Sequence, residues 1–591
     1  MKISSIKVKL TLQGPILTGA TNPGFLGIDT PFARTLAKEL YLPGTLVKGK
    51  LRQAWRALGG LSASFPTDSW FGAPAGNATH LDQNFDPVRG RAHFSDFVDS
   101  ASAGKSALRS RIKMDECRGS AADGMLQLLE SPYASGERAV FEGTIYFFER
   151  DAEERAAFLD AVRLGLSAVP SFGAERGIGF GRLCSVQAEM GPGPSPGAHE
   201  AIADGAGTLG LMLSGDESLC FARRQPAENL FESAEVIPGA AIKGSVAQMM
   251  ERLGGAEAFP LLWSNLSRIR IRHARPELKG VPPKLPPAIP LSIVFAGDEW
   301  KDAAPRKEPC LIGDKAPAFR SDWKSEWDTA KKYFGHCIVH KELRVRTQID
   351  ADKRRALDQN LFAYESLDPA GLEWRTALDL HYVPASQRAG ICDELKTLLS
   401  YGIFGMGKTK ARMDSQICNP ISPRFASSTA AGPSLVIQLQ TPALLGLPAE
   451  WQTARSAADV HRIYSRAWRE LSSKAPLTLS HYFAEQELAG GLYLHRRFRP
   501  AGSAYQPWLL TSAGSVFVFE GSDRPEVRQL LDDWLRTGLP IAPSLREHYK
   551  LQGGDFDLWN QCPFVPENGF GELAVNLQLN WKDRLLEVDH D

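Results

Sequence analysis

The sequence has no apolar run of about 18 residues, no excess of either charge and no regular framework of cysteines. A membrane span is therefore not predicted. The first residues, Met-Lys-Ile-Ser-Ser-Ile-Lys, place lysines where a signal peptide has its apolar core, so we expect a cytoplasmic protein. Eight scattered cysteines favour a reducing compartment over a disulfide scaffold. Because Lys plus Arg equals Asp plus Glu at 68 each, any nucleic-acid site must be local.

Length and composition indicate a globular protein with several cores. Hydrophobic residues make up 43% and charged residues 23% of the 591 residues, and such a length usually divides into domains of 100 to 200 residues. Two stretches rich in Gly, Pro, Ser and Ala lack periodicity and predict linkers at 191–207 and 416–433. The predicted domains are therefore 1–190, 208–415 and 434–591.

Three short signatures occur twice in the same order, which predicts a duplicated domain. The second copy carries additional residues, predicted as an insertion at about 276–340. The pairs are Pro43-Gly44-x3-Lys48-Gly49 with Pro238-Gly239-x3-Lys243-Gly244, Arg109-x-Arg111-x3-Asp115 with Arg344-x-Arg346-x3-Asp350, and Gly173 to Arg182 with Gly402 to Lys408.

The pattern of apolar residues predicts an α+β fold. Alternation from Ile6 to Leu12 indicates a strand, and the stripe Val47, Leu51 and Trp55 indicates a helix that starts after Pro43-Gly44. Further strands and a helix follow in the order of a ferredoxin-like domain. We therefore predict three tandem ferredoxin-like (RRM-like) domains with insertions and glycine-rich loops, the third being residues 434–591.

Four motifs together resemble the backbone subunit of type III CRISPR effector complexes, which belongs to the repeat-associated mysterious protein (RAMP) superfamily of RNA-binding ferredoxin-like domains. The resemblance covers roughly residues 1–190. The motifs are Leu26-Gly-Ile-Asp-Thr-Pro31, Tyr41-Leu-Pro-Gly-x3-Lys-Gly-x-Leu-Arg52, His93-Phe-Ser-Asp96 and Arg109-x-Arg-x3-Asp115. Residues from about 208 to 580 resemble instead the subunit that caps the CRISPR RNA at its 5′ handle in type III-D systems, on Gly514 to Glu520 and Glu567 to Glu572.

The resemblance implies that Asp29 is catalytic, because an aspartate in this loop is required in the family for cutting target RNA paired with the guide. One carboxylate can help to hold Mg²⁺ or Mn²⁺, or move a proton during attack by the ribose 2′-hydroxyl. The alternative is an aspartate that caps its own loop. In the second copy the position 195 residues later is Arg224, so that copy is expected to lack catalysis.

Basic residues and glycines of the repeated signatures predict an RNA track. Cationic side chains contact phosphates, and glycines let backbone amides approach them. A solvated surface charge is the alternative for each. The predicted contacts are Lys48, Lys50, Arg52, Arg109, Arg111, Lys113, Gly177, Gly179, Gly181, Lys243, Arg344, Arg346, Lys408, Arg496 and Arg497.

Two further patterns, a possible phosphate loop and a possible zinc site, match their motifs less closely. Gly402-x4-Gly407-Lys408-Thr409 fits a phosphate loop literally, but the preceding residues look helical rather than extended. Cys310, His336, Cys337 and His340 have side chains that suit a structural zinc ion. Unrelated cysteines and histidines are the alternative.

The sequence thus predicts a subunit of a type III CRISPR effector that binds guide RNA and cleaves complementary target RNA through Asp29, as a metal-dependent endoribonuclease. Its predicted partners are guide RNA, target RNA and the backbone, small and large effector subunits, with no membrane. The alternatives are a tandem backbone subunit, a non-catalytic RNA-binding scaffold, a CRISPR RNA-processing endonuclease and an unrelated nucleotide hydrolase.

Overall fold

The computed structural model describes most of the chain in three segments. We name them the N-terminal segment (2–190), the middle segment (208–418) and the C-terminal segment (434–577). The described residues are 2–19, 27–35, 38–59, 67–73, 88–115, 117, 119–203, 205–227, 229–296, 299–304, 327–349, 356–423, 427–429, 434–499, 503–520, 524–554 and 556–577.

The N-terminal segment is one six-stranded sheet with helices on its inner face. The sheet has the order β10-β1-β9-β6-β2, with β5 also paired to β9, and the Trp55 indole donates to the Ala161 carbonyl between helices α1 and α3 (3.0 Å). Its elements are β1 (Lys2–Gln13), β2 (Leu40–Leu42), α1 (Gly44–Gly59), α2 (Thr67–Phe71), β3 (Gly72–Ala73), β4 (Val88–Arg89), β5 (Ala92–Phe94), β6 (Phe97–Asp99), β7 (Leu108–Met114), β8 (Ala121–Glu130), β9 (Arg138–Glu149), α3 (Ala152–Ser167) and β10 (Arg182–Met190).

The middle segment repeats this plan and adds a second sheet. Its main sheet has the order β14-β20-β11-β22-β21, and β12-β13-β19-β18 form the other. Its elements are β11 (Thr208–Ser214), β12 (Ala222–Ala227), β13 (Leu230–Ser233), α4 (Gly239–Arg252), α5 (Gly255–Ala258), α6 (Pro260–Asn265), β14 (Arg270–Ile271), β15 (Arg275–Leu278), β16 (Ile293–Ala296), β17 (Glu299–Asp302), α7 (Trp327–Phe334), β18 (Lys341–Ile349), β19 (Ala356–Leu367), β20 (Leu372–Asp379), α8 (Ala385–Leu399), β21 (Ile403–Met406) and β22 (Ala411–Cys418).

The C-terminal segment has a four-stranded sheet, in the order β24-β27-β23-β28. Its longest helix starts at a capping box, in which Ser456 and Asp459 exchange hydrogen bonds. Its elements are β23 (Ser434–Leu439), α9 (Pro448–Thr453), α10 (Ala457–Leu471), β24 (Leu479–Phe483), β25 (Gln486–Ala489), α11 (Leu492–Phe498), β26 (Trp508–Thr511), β27 (Val516–Glu520), α12 (Pro525–Thr537), α13 (Pro543–His548) and β28 (Leu573–Val575).

The three main sheets share one antiparallel arrangement. In each, the first strand lies between the last strand and the strand that precedes the final helix: β10-β1-β9, β22-β11-β20 and β28-β23-β27. Each segment also has its own buried apolar cluster. The predicted α+β class is therefore confirmed. None of the helices among the described residues is both long and apolar enough to cross a bilayer.

The middle segment is packed against the N-terminal segment through aromatic rings. Phe404, from β21, lies 5.7 Å from the rings of His93 and Tyr146 and 5.6 Å from Phe148. Ile3 and Phe148 belong to the same apolar cluster as the middle segment's core. Two residues of the N-terminal segment are therefore packed into the core of the middle segment at this contact.

The C-terminal segment is joined to the middle segment by buried ion pairs. Arg272 contacts Asp379 at 2.9 Å and Glu572 at 3.3 Å, and Arg275 also reaches Glu572 (3.3 Å). Although burial opposes it, the surrounding guanidiniums lower the pKa of Glu572 to about 2. Removing one partner would leave a buried charge without compensation, so the stability of this junction depends on both charges being present.

Candidate nucleic-acid interface

The loop that carries Asp29 lies along the edge of strand β8. The backbone amides of Asp29 and Thr30 both donate to the Leu128 carbonyl, at 3.0 and 3.3 Å. In return the Leu128 amide donates to Asp29 Oδ2 (2.6 Å). Asp29 is exposed, so strand pairing fixes the position of a carboxylate that still reaches solvent. This bond matches the loop-capping alternative and leaves the predicted catalytic role untested.

Glu130, at the end of β8, holds the next part of the same loop. Its buried carboxylate accepts the Phe32 amide at 2.8 Å and the Ser106 hydroxyl at 3.0 Å, and it pairs with the Arg34 guanidinium. The Glu130 amide also donates to the Thr30 carbonyl (3.0 Å). Glu130 is therefore the anchor that orients the chain leaving Asp29. The sequence places it in Leu128-x-Glu130 at the end of the repeated Arg-x-Arg signature, but that pattern did not predict an anchoring role.

A group of cations from both segments meets at the junction of the N-terminal and middle segments. We call it the basic cluster. Helix α1 contributes two members, and the turn between β21 and β22 another two. The members are Lys48, Arg52, Arg89, Arg252, Lys408 and Lys410.

The two lysines Lys48 and Lys410 of the basic cluster are partly desolvated and are repelled by neighbouring cations. Burial, together with Arg52 and Arg252, lowers the pKa of Lys48 to about 8. Although part of Lys410 reaches solvent, surrounding protein together with Arg89, Lys408 and Lys48 also lowers its pKa to about 8. No carboxylate of the described residues forms an ion pair with either lysine. A bound anion would restore their charge, which is the behaviour expected of a phosphate-binding site.

Neutral groups hold the arginines of the basic cluster. Arg89 Nη1 donates to Gln248 Oε1 at 2.8 Å, and Arg252 Nη2 donates to the Arg89 carbonyl at 2.7 Å. The Arg252 guanidinium also lies over the Phe148 ring at 5.1 Å, and burial is the main cause that lowers its pKa to about 10. These contacts fix positions without cancelling charge. Arg52 is the exception, since it approaches Asp68 at 3.7 Å.

Lys48, Arg52 and Lys408 are thus the sequence-predicted residues that the structure brings together. Lys50 lies half-buried on the same helix. Sequence reasoning missed Arg89, Arg252 and Lys410, because they stand outside the repeated positions. Only Lys410 offered a signal, since it follows Lys408 by two residues in the glycine-rich run.

The arginines of the second signature have protein partners in both copies. Arg109 donates to the Ser135 hydroxyl (3.1 Å), and Arg111 pairs with Glu175. In the middle segment, Arg346 Nη1 donates to Thr45 Oγ1 of α1 (2.6 Å). Arg344 is half-buried, and the nearby Tyr41 and Asp96 oppose the effect of burial and raise its pKa. The side chain of Lys113 lies outside the described residues.

Lys243 requires a correction, because the structure places it in the interior. It is 0% exposed and donates to the carbonyls of Ile269 (2.8 Å) and Ser267 (3.3 Å). Its ammonium lies 4.9 Å from the Trp559 ring of the C-terminal segment. Burial lowers its pKa to about 7, against the opposite effect of Glu567. Lys243 therefore joins segments and is not accessible to RNA in this structure.

The predicted basic residues of the C-terminal segment lie on the short helix α11. Arg497 is exposed and Arg496 half-buried. Just after them, the Arg499 guanidinium lies between the rings of Trp508 and Tyr549, at 4.4 and 4.5 Å. This stacking is a structural use of one cation in the patch, while Arg497 remains accessible.

Hairpin β7–β8 exposes large apolar side chains that the sequence did not single out. Leu108, Ile112 and Leu126 are between 56% and 61% exposed. The middle segment's hairpin β18–β19 likewise exposes Leu343 and Leu361. Exposed apolar side chains grouped on one hairpin are typical of interaction surfaces.

The phosphate-loop pattern has the wrong structural context. Residues 407–410 form a turn between two strands of one sheet, whereas a phosphate loop needs a strand followed by a helix. The Lys408 ammonium lies over the Phe231 ring at 3.4 Å. The nucleotide hydrolase alternative therefore loses its main support.

Two described members of the predicted zinc set, His336 and Cys337, already have other partners. His336 Nε2 donates to the Pro287 carbonyl (2.8 Å), and the Cys337 thiol donates to the Pro276 carbonyl (3.2 Å). Burial is the main cause that lowers the pKa of His336 to about 4. Cys310 lies outside the described residues, and within the described ranges no three His, Cys, Asp or Glu side chains form a metal-binding group.

Comparison with known proteins identifies the N-terminal segment. Residues 9–184 match the family model of the RAMP superfamily, so this segment is a RAMP superfamily domain. No curated protein matches the sequence.

Two solved structures resemble parts of the chain in fold. One is a chain in the cryo-EM structure of type III-B Cmr-beta bound to cognate target RNA, at a TM-score of 0.22 and 16% identity over 32% of this chain and 61% of that one. The alignment thus spans less than two thirds of that relative. The other is a chain in type III-B Cmr-beta bound to cognate target RNA and AMPPnP, state 1, with a TM-score of 0.31 and 13% identity over 58% and 92% of the two chains.

Proposed function

We propose that this chain is an RNA-binding subunit of a type III CRISPR effector ribonucleoprotein. The observation that carries the proposal is the basic cluster, where Lys48 and Lys410 have no carboxylate partner among the described residues. The phosphates of a guide RNA would supply the missing negative charge. The RAMP superfamily match over residues 9–184 supports the same assignment.

We further propose that Asp29 takes part in cleavage of target RNA paired with the guide. Its carboxylate would accept the proton of a ribose 2′-hydroxyl while that oxygen attacks the adjacent phosphorus. The bond from phosphorus to the 5′-oxygen then breaks, and the leaving oxygen takes a proton from water. The products are a 2′,3′-cyclic phosphate and a 5′-hydroxyl. The Leu128 amide, bound to Oδ2, would orient the carboxylate for this step.

A divalent ion held by protein side chains alone does not fit the described residues around Asp29. Mg²⁺ and Mn²⁺ prefer several oxygen ligands, and the described residues include no group of three acidic or His/Cys side chains. The proposed mechanism therefore passes no step through a metal. The predicted Mg²⁺ or Mn²⁺ requirement remains a prediction, to be tested by cleavage with and without each ion.

The test compares Asp29→Asn with wild type in the purified complex, using labelled RNA complementary to its guide. Asparagine keeps an oxygen for the Leu128 amide but has no carboxylate to accept a proton, so it separates chemistry from loop capping. We expect RNA binding to be retained and cleavage to fall by about 10²-fold or more. Asp160→Asn is the matched control, because Asp160 is an exposed acid that pairs with Arg163 along helix α3.

A second candidate is a non-catalytic RNA-binding scaffold, which the Asp29–Leu128 bond favours. In that case Asp29→Asn leaves the cutting pattern unchanged, and Asp29→Ala lowers thermal stability without affecting the chemistry. Unchanged cleavage by Asp29→Asn would contradict our catalytic assignment while leaving the RNA-binding proposal in place.

We also propose that the three segments are three tandem ferredoxin-like domains, on the basis of their shared strand arrangement. The middle and C-terminal segments would correspond to a subunit that caps the 5′ handle of the guide, fused to a backbone domain. Further backbone, small and large subunits would complete a cytoplasmic particle. Native mass spectrometry of the purified complex tests this composition.

A further inference from the structure

Two loops in distant parts of the chain have the same backbone course. Residues 176–182 form the N-terminal glycine loop, and residues 566–572 form the C-terminal glycine loop. The residues just before them differ, since Glu175 is left-handed (φ +56°) and Val565 is extended (φ −113°). Each contains one 3₁₀ turn that ends at a left-handed glycine, Gly179 (φ +92°) or Gly569 (φ +91°). A phenylalanine and a second left-handed glycine follow, Gly181 (φ +63°) or Gly571 (φ +67°), just before the last strand of the sheet.

Both loops are anchored in the same way to their own segments. The Gly181 carbonyl accepts the Phe172 amide (2.9 Å), as the Gly571 carbonyl accepts the Leu539 amide (2.8 Å). The Gly181 amide donates to the Pro15 carbonyl (2.7 Å), and the Gly571 amide to the Pro442 carbonyl (3.0 Å). The two loops are therefore equivalent structural elements, and differences in their surroundings are informative.

The C-terminal glycine loop docks on the middle segment, where helix α4 begins beside strand β14. The Arg270 guanidinium donates to the Pro566 carbonyl (3.2 Å), and the rings of His273 and Phe570 lie 4.7 Å apart. A Cβ atom added at Gly569 would lie 2.4 Å from His273 Nδ1, and one at Gly239 would lie 2.7 Å from the Asn568 carbonyl oxygen. This close fit makes the loop an interface element.

The N-terminal glycine loop has the same course but is uncovered. A Cβ atom added at Gly177 or Gly179 would meet nothing within 4 Å. Ile178, at the position of the buried Asn568, is 56% exposed, and Arg176 is exposed as well. The element that joins the C-terminal segment to its neighbour is thus presented to solvent by the N-terminal segment.

The junction of the middle and N-terminal segments provides a second precedent. There too, a glycine-rich stretch before the last strand reaches the preceding segment, since Phe404 packs on His93, Tyr146 and Phe148. Both described junctions therefore place residues near the last strand of one segment against the segment before it.

We infer that the N-terminal glycine loop docks on a different protein subunit, at a helix start beside a short strand like that of α4 and β14. A second copy of this chain is disfavoured, because its α4 start is already covered and its Arg270 would face Arg176. Ile178 and Arg176 replace Asn568 and Pro566, so the partner surface should offer an apolar pocket next to a carboxylate. The same glycines were predicted to approach RNA, which the experiment below treats as the opposing result.

The experiment places a photo-cross-linking amino acid at Ile178 in the full chain, within the purified ribonucleoprotein complex. Leu164, 54% exposed on helix α3, is the control position. We expect a cross-link from position 178 to a peptide at a helix start of another subunit, and none from 164 to that peptide. A cross-link from 178 to RNA, to this chain alone or to nothing would overturn the inference.

A second measurement uses Ile178→Asp and the composition of the complex. Because Ile178 is exposed, the variant should fold with an unchanged melting temperature, and occupancy of the neighbouring subunit should fall about tenfold for each 1.4 kcal/mol of binding lost. Undiminished occupancy would also contradict the inference. The inference rests on the proposed arrangement of tandem domains, but not on cleavage. Asp29→Asn should keep the neighbouring subunit in the complex but lose RNA cleavage, whereas Ile178→Asp should lose the neighbouring subunit. The two experiments therefore test the two proposals independently.

Discussion

Arg346 Nη1 donates a 2.6 Å hydrogen bond to Thr45 Oγ1, and this bond ties hairpin β18–β19 of the middle segment to the first turn of α1. The signature that predicted Arg346 as a phosphate contact thus supplies a contact between segments. The turn after Pro43-Gly44 serves both as a helix start and as a docking point. If Arg346 contacts phosphate, replacing it should weaken RNA binding. If it joins the segments, replacing Arg346 or Thr45 should lower stability instead.

We predict that Arg346→Ala and Thr45→Val each lower the free energy of unfolding by at most about 1 kcal/mol, because the bond is near the surface. A double-mutant cycle should give a coupling energy, since each change removes the same interaction. RNA affinity should change little. If Arg346→Ala alone weakens RNA binding and reduces the salt slope by about one, Arg346 is an RNA contact instead.

RNA affinity should depend on pH through Lys48 and Lys410. Both have a pKa of about 8 in the free protein, and a bound phosphate would raise each pKa toward its ordinary value. Binding therefore takes up protons at alkaline pH, and affinity is lost as pH rises through about 8. Between pH 7 and 9 we expect a loss of roughly tenfold for each lysine, measured by fluorescence anisotropy with labelled single-stranded RNA.

The matching variant combines Lys48→Met with Lys410→Met. It should bind weakly at all pH values and show a flatter dependence above pH 7. Lys474→Met, which alters an exposed lysine of the C-terminal segment, should retain the full dependence. A wild-type affinity that is constant from pH 7 to 9 would refute phosphate binding at these two lysines.

Lys243→Met should act on stability and not on RNA binding. The substitution removes two hydrogen bonds from a buried ammonium and leaves the carbonyls of Ile269 and Ser267 without that donor. We expect a loss of about 1–3 kcal/mol in the free energy of unfolding, measured by chemical denaturation. Unchanged stability together with weaker RNA binding would show that the lysine is accessible to RNA after all.

Local patterns predicted the elements of the fold well. The alternation from Ile6 to Leu12 lies in strand β1, and both Pro-Gly turns start helices, at Gly44 and Gly239. These features depend on periodicity, caps and turn residues, which are written within a few residues of each other. The α+β class and the RAMP assignment of the N-terminal segment follow from the same kind of information.

The candidate site was only partly predictable, because packing between segments decides which side chains remain accessible. Lys48 and Lys243 occupy the same position of one signature, yet Lys48 faces other cations and Lys243 lies under the Trp559 ring. Arg89 and Arg252 enter the basic cluster from unrelated positions in the sequence. No local spacing encodes a contact made by residues more than 150 positions apart.

Glu130→Gln should impair cleavage without altering the proposed catalytic residue. The buried Glu130 carboxylate binds the Phe32 amide, the Ser106 hydroxyl and Arg34, and the neutral amide would weaken all three contacts. The loop carrying Asp29 would then lose its anchor. Because a displacement of about 1 Å can cost 10²-fold in rate, we expect cleavage to slow by that order while RNA affinity is kept.

Glu137→Gln is the control for this prediction. Glu137 is a partly exposed acid that pairs with Lys105, near the base of hairpin β7–β8. It should cleave at the wild-type rate. Normal cleavage by Glu130→Gln, together with a lower melting temperature, would show that the Asp29 loop keeps its geometry through β8 pairing alone. The hydrogen bonds to Leu128 would then be sufficient to orient the carboxylate, and Glu130 would serve only the stability of the N-terminal segment.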